Sequence, residues 1–409
     1  MSKKYVFLTY VIINLGGGQI YCSNKFNYLK NQGYETYIFS TYDGRVVVKN
    51  IERFLPLVIE KLDFYPTVFD KKTVEKVLDK ICEKIDYTED DEIIIESHTE
   101  YLAVWGELLA KRLNAKHIIY LLGEHFDGLS NYVFKFLDFK YNRKELANIN
   151  KVAMQRMFAP YKNLSEEDCF FLYARLGVPV EEIEISKEYI EKCKNKKVIG
   201  VIGRGDKNYV FESVKIACEF AEKHTDEKFV LLVVGSIVPG ISEQIENYAK
   251  DYQNVDLMLT GDQFPIPKKL LHLMNAAFAA AGCVAPPYYE EIPTIVMNVY
   301  NNKPIGVMGY DTLVTVSKEQ NSKNNGDYYL EEIIYGNFLE ENKYTAPEPI
   351  DFNAAYEKHF DFIKNSCDKK EYYDFSNMRA TKKDKIFSIL YKIGGVKLIR
   401  KLKKLKSKL

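Results

Sequence analysis

Short apolar runs alternate with longer amphipathic segments along most of this 409-residue chain, and the alternation restarts once. The first series predicts strands and helices in turn over residues 5–13, 20–32, 36–40, 72–85, 93–95, 102–113 and 117–122. Strands separated by amphipathic helices form parallel sheets with helices on both faces. The pattern therefore predicts an α/β fold.

A second series of the same kind follows the charged segment 181–197. It predicts strands and helices in turn over 198–202, 209–224, 229–234, 241–252, 255–259, 268–276, 278–283, 293–301 (a helix) and 304–307. The stretch 141–195 is more helical and polar and shows no comparable strand. We therefore predict two doubly wound domains facing a cleft, residues 1–190 and 196–345, then a helical segment, 346–381, and a tail, 382–409.

Composition excludes several classes of protein. Hydrophobic residues make up 46% of the chain and aromatic residues 14%, which is too rich in core-forming side chains for a disordered protein. The chain holds no apolar run of 18 residues, so the sequence predicts no transmembrane helix. The seven cysteines are odd in number, widely spaced and without a C-x-x-C pair, which indicates a reducing compartment.

The N-terminal segment allows two interpretations. Lys3 and Lys4 before the apolar run 5–13 resemble the start of a signal peptide. The alternative is a buried first strand that ends in a glycine loop. The strand is favoured because the apolar run is short, no small-x-small cleavage site follows, and Phe26 and Leu29 continue a helical pattern.

Two glycine-rich loops follow predicted strands, which is where open α/β sheets bind ligands. Gly16-Gly17-Gly18 would let backbone N–H groups approach a phosphate or sugar, although a tight turn is an equal alternative. The third glycine of a nicotinamide-binding fingerprint is missing. Gly203-Arg204-Gly205-Asp206-Lys207 adds a forked donor and a point charge, so we interpret it as a diphosphate cradle. The alternative is that Arg204 pairs with a surface acid.

Two of the six histidines, His98 and His125, also follow predicted strands and lie beside acids that could tune their pKa. A lone histidine is more often structural, but two at successive strand ends indicate that at least one is functional. His98 and Glu100 are candidates for an acceptor side. Glu290 and Glu291 follow a later strand, and either bind sugar hydroxyls or are N-terminal helix acids favoured by the helix dipole.

These motifs, in this order, resemble the GT-B glycosyltransferases, specifically glycosyltransferase family 4, to about residue 310. The family's paired glycines and its L-x-x-x-G-[HY]-x-[VT] helix end are similar to Gly16-Gly17-Gly18 and to Leu29 through Thr36. Its histidine after an apolar strand is similar to His125. Its G-R pair with a lysine downstream is similar to Gly203-Arg204 with Lys207, at a shorter spacing.

The family's signature is a Glu, seven residues and a second Glu, with a Pro-Val pair downstream. Glu290 fits the first position, but Asn298 stands at the second, and Pro304-Ile305 stands for the downstream pair. An amide can bond a ribose but lacks the charge that strengthens the bond. This departure leaves a catalytically silent sugar-nucleotide-binding or scaffold protein as the alternative, with a sugar-nucleotide epimerase of the same fold as a weaker one.

The resemblance implies two Rossmann-like domains, the first on the acceptor side and the second on the nucleotide-sugar side. It implies that His125 and Glu290 are catalytic and that the donor is held by Gly17, Gly18, Gly203, Arg204, Lys207, Glu291 and Asn298. The implied enzyme is a retaining, hexosyltransferase-type enzyme. It needs no metal or other cofactor, because no D-x-D element stands out and two cations can stabilise a leaving diphosphate.

The formal net charge is zero, with 57 basic and 57 acidic residues, but the charges are unevenly placed. Residues 382–408 hold eleven of the basic residues and one acid, which leaves 46 basic and 56 acidic residues elsewhere. Within the tail Gly394-Gly395 is predicted to break the helix in two. One helical face then carries Leu398, Leu402, Leu405 and Leu409.

A cationic amphipathic helix is typical of a membrane interface, contacted here through Lys397, Arg400, Lys401 and Lys404. Nucleic-acid binding is disfavoured because other basic patches are absent, and a solvated tail because of the apolar stripe. We therefore expect a cytoplasmic enzyme, peripheral on the inner face of the plasma membrane. It would move a sugar from a nucleotide sugar to a lipid-linked or polysaccharide acceptor, such as a capsule or other cell-envelope glycan.

Overall fold

The structure, a computed structural model, describes residues 2–10, 16–41, 48, 57–123, 129–172, 174, 177–236, 240–349 and 351–406. The chain forms two compact units. The first combines Met1–Arg175 with Asp351–Leu409, and the second is Leu176–Ile350. The boundary therefore lies near residue 175 rather than 190. The segments 346–381 and 382–409, predicted as separate parts, belong almost entirely to the first unit.

The described strands of the first unit form one parallel sheet in the order β3-β2-β1-β4-β5-β6. They are β1 (Lys3–Thr9), β2 (Tyr34–Ser40), β3 (Leu57–Val58), β4 (Glu92–Ser97), β5 (Lys116–Leu121) and β6 (Leu146–Asn148). The first apolar run is thus a buried strand inside the sheet, as favoured above. The sequence missed β6 because three residues are too few to show a period.

Helices cover the sheet of the first unit. They are α1 (Gly17–Asn31), α2 (Lys71–Ile85), α3 (Glu100–Leu113), α4 (Asn131–Asn142), α5 (Lys151–Phe158), α13 (Phe352–Asn365) and α14 (Lys382–Lys406). Helix α2 shows why these segments fold as they do. The Asp70 carboxylate accepts from the Thr73 N–H and caps the first turn, and the buried Val77, Leu78 and Ile81 lie on one face.

The second unit repeats the architecture, with its described strands in the order β10-β9-β8-β12-β13-β14. These are β8 (Lys197–Ile202), β9 (Phe229–Val234), β10 (Val255–Leu259), β12 (Ala276–Ala279), β13 (Thr294–Met297) and β14 (Pro304–Val307), and only β14 is antiparallel among them. The short strands β7 (Val180–Glu181) and β11 (Ile266–Pro267) pair separately. Strand β9 is buried along its whole length, which explains its unbroken apolar sequence.

The helices of the second unit are α6 (Lys187–Cys193), α7 (Asn208–Lys223), α8 (Ile241–Ala249), α9 (Lys268–Leu271), α10 (Ala285–Tyr289), α11 (Gly326–Ile334) and α12 (Phe338–Glu341). One predicted helix, 293–301, is wrong, because residues Thr294–Met297 form β13 instead. The run Thr294-Ile295-Val296 is β-branched throughout, and such side chains favour a strand over a helix. Because Thr294–Met297 is a strand, the residues that precede it and the residues that follow it lie at opposite edges of the sheet.

The tail is part of the first unit's core rather than a separate module. Val396 and Ile399 are 5% and 0% exposed and belong to one hydrophobic cluster with residues of β1, β4 and α3. Gly394 and Gly395 have non-helical backbone angles, so the predicted break between two helical pieces is confirmed. Among the described residues, no helix has the length and apolarity to cross a membrane.

Candidate functional site

The loop after β8 is held against the end of β9 by backbone hydrogen bonds. The Gly203 N–H donates to the Val234 carbonyl at 2.9 Å, and the Gly205 N–H to the Ser236 carbonyl at 2.8 Å. Gly235 has φ +145°, and a Cβ there would lie 2.1 Å from the carbonyl oxygen of Gly203. The close approach therefore requires glycine, and it fixes the loop at the carboxyl edge of the sheet.

Arg204 points its guanidinium at a carboxylate. Its Nε donates to Oδ1 of Asp206 at 3.0 Å and its Nη2 to Oδ2 at 2.9 Å, and the side chains are 40% and 45% exposed. The alternative that Arg204 pairs with an acid is thus what the structure shows. Arginine binds phosphate with the same two-pronged geometry, so the Asp206 carboxylate occupies the donors that Arg204 could offer to a phosphate. Lys207, exposed, is the N-cap residue of α7.

Tyr209 and Cys283 extend this loop and were not identified from the sequence. The Tyr209 hydroxyl donates to the Ile202 carbonyl at 3.1 Å, and a Cβ on Gly203 would lie 2.0 Å from that hydroxyl oxygen. Burial raises the pKa of the Cys283 thiol, against a hydrogen bond with Tyr209 and the charges of Arg204 and Lys207, which lower it. The chain after β12 therefore returns to the same loop. The small-residue run Ala276–Gly282 was the available signal.

Glu290 and Glu291 lie at the opposite edge of this sheet. Strands β8, β12 and β13 are parallel, with Ile202 beside Ala279 and Ala279 beside Val296. The two acids precede β13 and therefore lie at the amino edge, whereas Arg204 follows β8 at the carboxyl edge. The assignment of Glu290 to catalysis and of Glu291 to the donor is not supported by this placement.

The environment of Glu290 agrees with a structural role. Its Oε2 accepts from Nε2 of His272 at 2.9 Å and lies 3.1 Å from Nζ of Lys268. Both partners belong to the α9 region, and Glu290 itself follows the C-terminal end of α10. Glu291 is exposed in a turn with φ +58°. Neither acid stands at a helix N-terminus, so the dipole alternative is wrong as well.

Asn298 follows β13 at the carboxyl edge, on the same side as Arg204, but it is fully buried. Its Nδ2 donates to Oδ1 of Asn321 at 3.0 Å, and its Oδ1 accepts from the Tyr300 N–H at 3.0 Å. A strand rather than a helix separates it from Glu290. Asn298 therefore does not lie on the helix predicted over 293–301, and its amide donates to a residue of the segment that follows β14.

In the first unit His98 lies beside the end of β1, the strand that precedes the glycine loop, as a strand-end residue should. Helix α1 begins at Gly17 and Gly18, after β1, and among the described residues no side chain caps it. His98 follows β4, the neighbour of β1, and its Nδ1 lies 3.0 Å from Oγ1 of Thr9. Glu100 opens α3 next to it.

His98 is 2% exposed and belongs to a buried charge network centred on Glu96. Oε1 of Glu96 lies 2.8 Å from Nε2 of His98, and Oε2 lies 2.5 Å from Nζ of Lys25 on α1. Burial alone would raise the pKa of Glu96, but Lys25 and His98 lower it strongly. The network ties α1 to β4 and so positions the glycine loop. His98 is placed inside the unit rather than on an acceptor-binding surface.

The other predicted residues are placed as follows. His125 lies outside the described residues, as does the side chain of Lys404. Lys397 and Lys401 are exposed on α14. Arg400 is not available to a membrane, because its guanidinium pairs with Glu60 at 2.8 Å and with Asp63 at 3.4 Å inside the first unit. Among the described residues, no cluster of His, Cys, Asp and Glu side chains could hold a metal ion.

Comparison with solved structures settles the fold. A glycosyltransferase from Rickettsia africae has a TM-score of 0.56 at 15% identity, over 90% of this chain and 94% of its own. Anabaena HepE in complex with UDP and glucose has a TM-score of 0.50 at 12% identity, over 99% and 100%. The fold is GT-B.

A third structure with this likeness is a Listeria monocytogenes protein described as a UDP-N-acetylglucosamine 2-epimerase. It has a TM-score of 0.50 at 13% identity, over 88% of this chain and 95% of its own. No protein-family model and no curated protein matches the chain. The GT-B fold therefore rests on three-dimensional likeness, and it confirms the predicted pair of doubly wound domains.

Proposed function

We propose that this GT-B protein is a glycosyltransferase that takes its sugar from a nucleotide-diphosphate donor. The observation that carries the proposal is the loop Gly203–Lys207, where two cations and a helix start meet at the carboxyl edge of the second sheet. Anions bind at such helix starts because backbone N–H groups and the helix dipole point at them. The Rickettsia glycosyltransferase and Anabaena HepE with bound UDP support the same interpretation.

Glycosyl transfer from such a donor requires that the diphosphate be stabilised as it leaves the sugar. In this proposal a phosphate displaces the Asp206 carboxylate from the fork of Arg204, which then bonds two phosphate oxygens. Lys207 adds a second positive charge where negative charge grows in the transition state. A retaining, hexosyl-transferring reaction that needs no metal or other cofactor belongs to the same proposal.

The acceptor side is assigned to the first unit, where the loop at Gly17 and Gly18 opens α1 beside β4. We propose a lipid-linked or polysaccharide acceptor at the cytoplasmic face of the membrane, in synthesis of a cell-envelope glycan such as a capsule. The support is the cationic, partly apolar surface of α14, a helix of this same unit. A membrane-held enzyme keeps a lipid-linked acceptor within reach of its site.

The test compares Arg204→Ala and Lys207→Ala with Lys250→Ala, an exposed lysine outside the loop. Thermal shift with UDP, GDP and their sugars measures binding, because a ligand of the native state raises Tm. Both loop variants should lose the shift and at least tenfold in transfer, with Tm of the free protein unchanged. Full donor response in both variants would overturn the assignment.

Two other functions would give different results in these assays. A sugar-nucleotide epimerase is favoured by the Listeria likeness and would convert a free nucleotide sugar with no acceptor present. A catalytically silent binding protein is favoured by Asn298, whose amide is already hydrogen-bonded to Asn321 and to the Tyr300 N–H. Such a protein would show the thermal shift without transfer, hydrolysis or isomerisation across the donor panel.

A further inference from the structure

Helix α14 has an inner and an outer face, and the inner face packs against the first unit. Val396 and Ile399 are buried in a hydrophobic cluster of the first unit, and Phe387, Leu390 and Tyr391 pack against the same cluster. Both halves of the kinked helix therefore dock on one body. Their opposite faces must point away from it.

The outer face of the first half is an apolar stripe. Ile386, Ile389 and Ile393 are 57%, 60% and 72% exposed. Their spacing of i, i+3 and i+7 places them on one side of the helix. Single exposed apolar residues are ordinary, but three isoleucines in a row on one side indicate a binding surface.

The second half repeats this arrangement. Leu402 and Leu405 are 40% and 52% exposed, on the side of the helix away from the buried Val396 and Ile399. These are two of the leucines that the sequence placed on one face. We call Ile386, Ile389, Ile393, Leu402 and Leu405 together the tail face.

The described charges of the tail that face solvent are of one sign. Asp384, the single acid of the tail, is turned inward: it is 6% exposed and accepts from the Thr381 N–H at 2.9 Å and the Thr67 hydroxyl at 3.1 Å. The exposed charged residues of the tail that flank the stripe are lysines, including Lys382, Lys385, Lys392, Lys397 and Lys401. The fold has thus separated the tail's one negative charge from its solvent-facing side.

We propose that the tail face binds an anionic lipid bilayer, with its five apolar side chains in the interface and the flanking lysines at the headgroups. Apolar residues flanked by cations are the arrangement that an interfacial helix needs. A second copy of the chain is a poorer occupant, because a symmetric contact would bring the same lysines together. The identity of the membrane-bound enzyme rests on the proposed function, but the binding surface does not.

This surface differs from the sequence prediction in its residues. Arg400 and Lys403 face inward, toward Asp63 at 3.4 and 3.6 Å, so they hold the helix on the protein. In this proposal Ile386, Ile389 and Ile393 contact the membrane instead. The docked inner face also fixes which side of the helix is presented, so the helix is not free to roll.

The experiment measures co-sedimentation of the full chain with vesicles of phosphatidylcholine, with and without phosphatidylglycerol. The apolar variant is Ile386→Ser/Ile389→Ser/Ile393→Ser, and its control is Tyr300→Ser/Leu313→Ser/Val316→Ser, three residues of the second unit with 42–61% exposure. The charge variant is Lys385→Gln/Lys392→Gln/Lys397→Gln. Its control is Lys250→Gln/Lys318→Gln/Lys343→Gln, which are exposed lysines of the second unit.

Wild type should bind anionic vesicles at low salt and be released as salt rises. Each tail variant should lose at least tenfold in binding at low salt, while both controls bind as wild type does. Equal binding by wild type and both tail variants would overturn the proposal. So would a dimer of wild type that the apolar variant converts to a monomer without vesicles, since a second copy would then occupy the face.

The outcome is separable from that of the proposed function. Arg204→Ala should lose the nucleotide response and keep vesicle binding, whereas the apolar variant should keep the nucleotide response and lose vesicle binding. A full nucleotide response in Arg204→Ala, with vesicle binding lost only in the tail variants, would reject the donor site and leave the tail face standing. Unchanged circular dichroism and Tm of the apolar variant exclude unfolding as the cause.

Discussion

The guanidinium of Arg400 donates to the carboxylate of Glu60 at 2.8 Å, although 340 residues separate them in the chain. Its other nitrogens reach the backbone carbonyl of Thr41 at 2.6 Å and the carboxylate of Asp63 at 3.4 Å. Asp63 is 6% exposed, and burial raises its pKa against the opposing charges of Lys403 and Arg400. Arg400 therefore attaches the end of the chain to the first unit.

Replacing Arg400 should weaken this attachment. Arg400→Ala removes one of the cations beside the buried Asp63 and leaves Lys403 in place, and we expect a loss of about 1–3 kcal/mol in the free energy of unfolding. Urea denaturation measures the change. Lys397→Ala, an exposed lysine of the same helix, should change it by less than about 0.5 kcal/mol. Equal values for the two variants would show that the Arg400 contacts contribute nothing.

Removing the carboxylate of Asp206 should favour nucleotide binding. Asp206 competes with a phosphate for the fork of Arg204, and an exposed pair of this kind is worth about 0–1 kcal/mol. Asp206→Ala should therefore bind UDP or GDP up to about fivefold more tightly in calorimetry. Weaker binding would mean that Asp206 orients Arg204 for the donor rather than competing with it. Adding Arg204→Ala should abolish any gain.

The glycine at 235 should be essential for the donor loop. A Cβ at this position would lie 2.1 Å from the Gly203 carbonyl oxygen, so Gly235→Ala must push the two strand ends apart. We expect at least a tenfold loss of nucleotide affinity and a lower Tm. The matched control is Gly240→Ala, which has a strained φ of +93° but, among the described residues other than its chain neighbours, no atom within 4 Å of the added Cβ. A normal nucleotide response in Gly235→Ala would contradict the close approach.

The first unit should lose stability in acid through Glu107, which is 1% exposed. Its Oε2 accepts from Nδ1 of His117 at 2.7 Å and from Nζ of Lys140 at 3.0 Å. Burial raises the pKa of Glu107, but the charge of Lys140 and the bond from His117 lower it to about 2 from 4.5. Burial also lowers the pKa of His117, which favours its neutral form.

A carboxyl whose pKa is lowered by folding stabilises the protein above its unfolded pKa, and this contribution is lost as pH falls through the folded one. For Glu107 the window runs from about pH 4.5 down to about 2, and the contribution is on the order of 3 kcal/mol. Glu107→Gln should be less stable at pH 7 and lose less on acidification, as followed by urea denaturation at each pH. An unchanged pH slope would show that Glu107 does not titrate with folding.

The helices and strands were predictable from the sequence where an element is buried on both faces or on one continuous face. Strand β9 was located to the residue as Phe229–Val234, because a strand buried on both faces is apolar throughout. The predicted helix 72–85 matches α2 to one residue, since a helix on a sheet needs one apolar face and a cap. Elements of three or four residues, such as β6 and β13, offered no full period and were missed or mistaken.

The candidate site was only partly predictable. Gly203, Arg204 and Lys207 were predicted from their position after a strand, from their residue types and from the family resemblance. The predicted position of Glu290 was wrong, because the edge of the sheet at which it lies depends on whether the next residues form a helix or a strand. Tyr209 and Cys283 were missed because their relation to the loop arises from packing between segments far apart in the chain.

The sequence by itself determined the α/β class, the repeat of two doubly wound units and the cationic, glycine-broken tail, because these depend on local period and charge. The tertiary structure alone decided which residues those patterns serve. It buried His98 in an ion network, put Glu290 and Arg204 at opposite edges, and turned Arg400 inward while leaving Ile386 and Ile393 outside. Periodicity fixes that a segment has two faces, but only packing against the rest of the chain determines which face is covered.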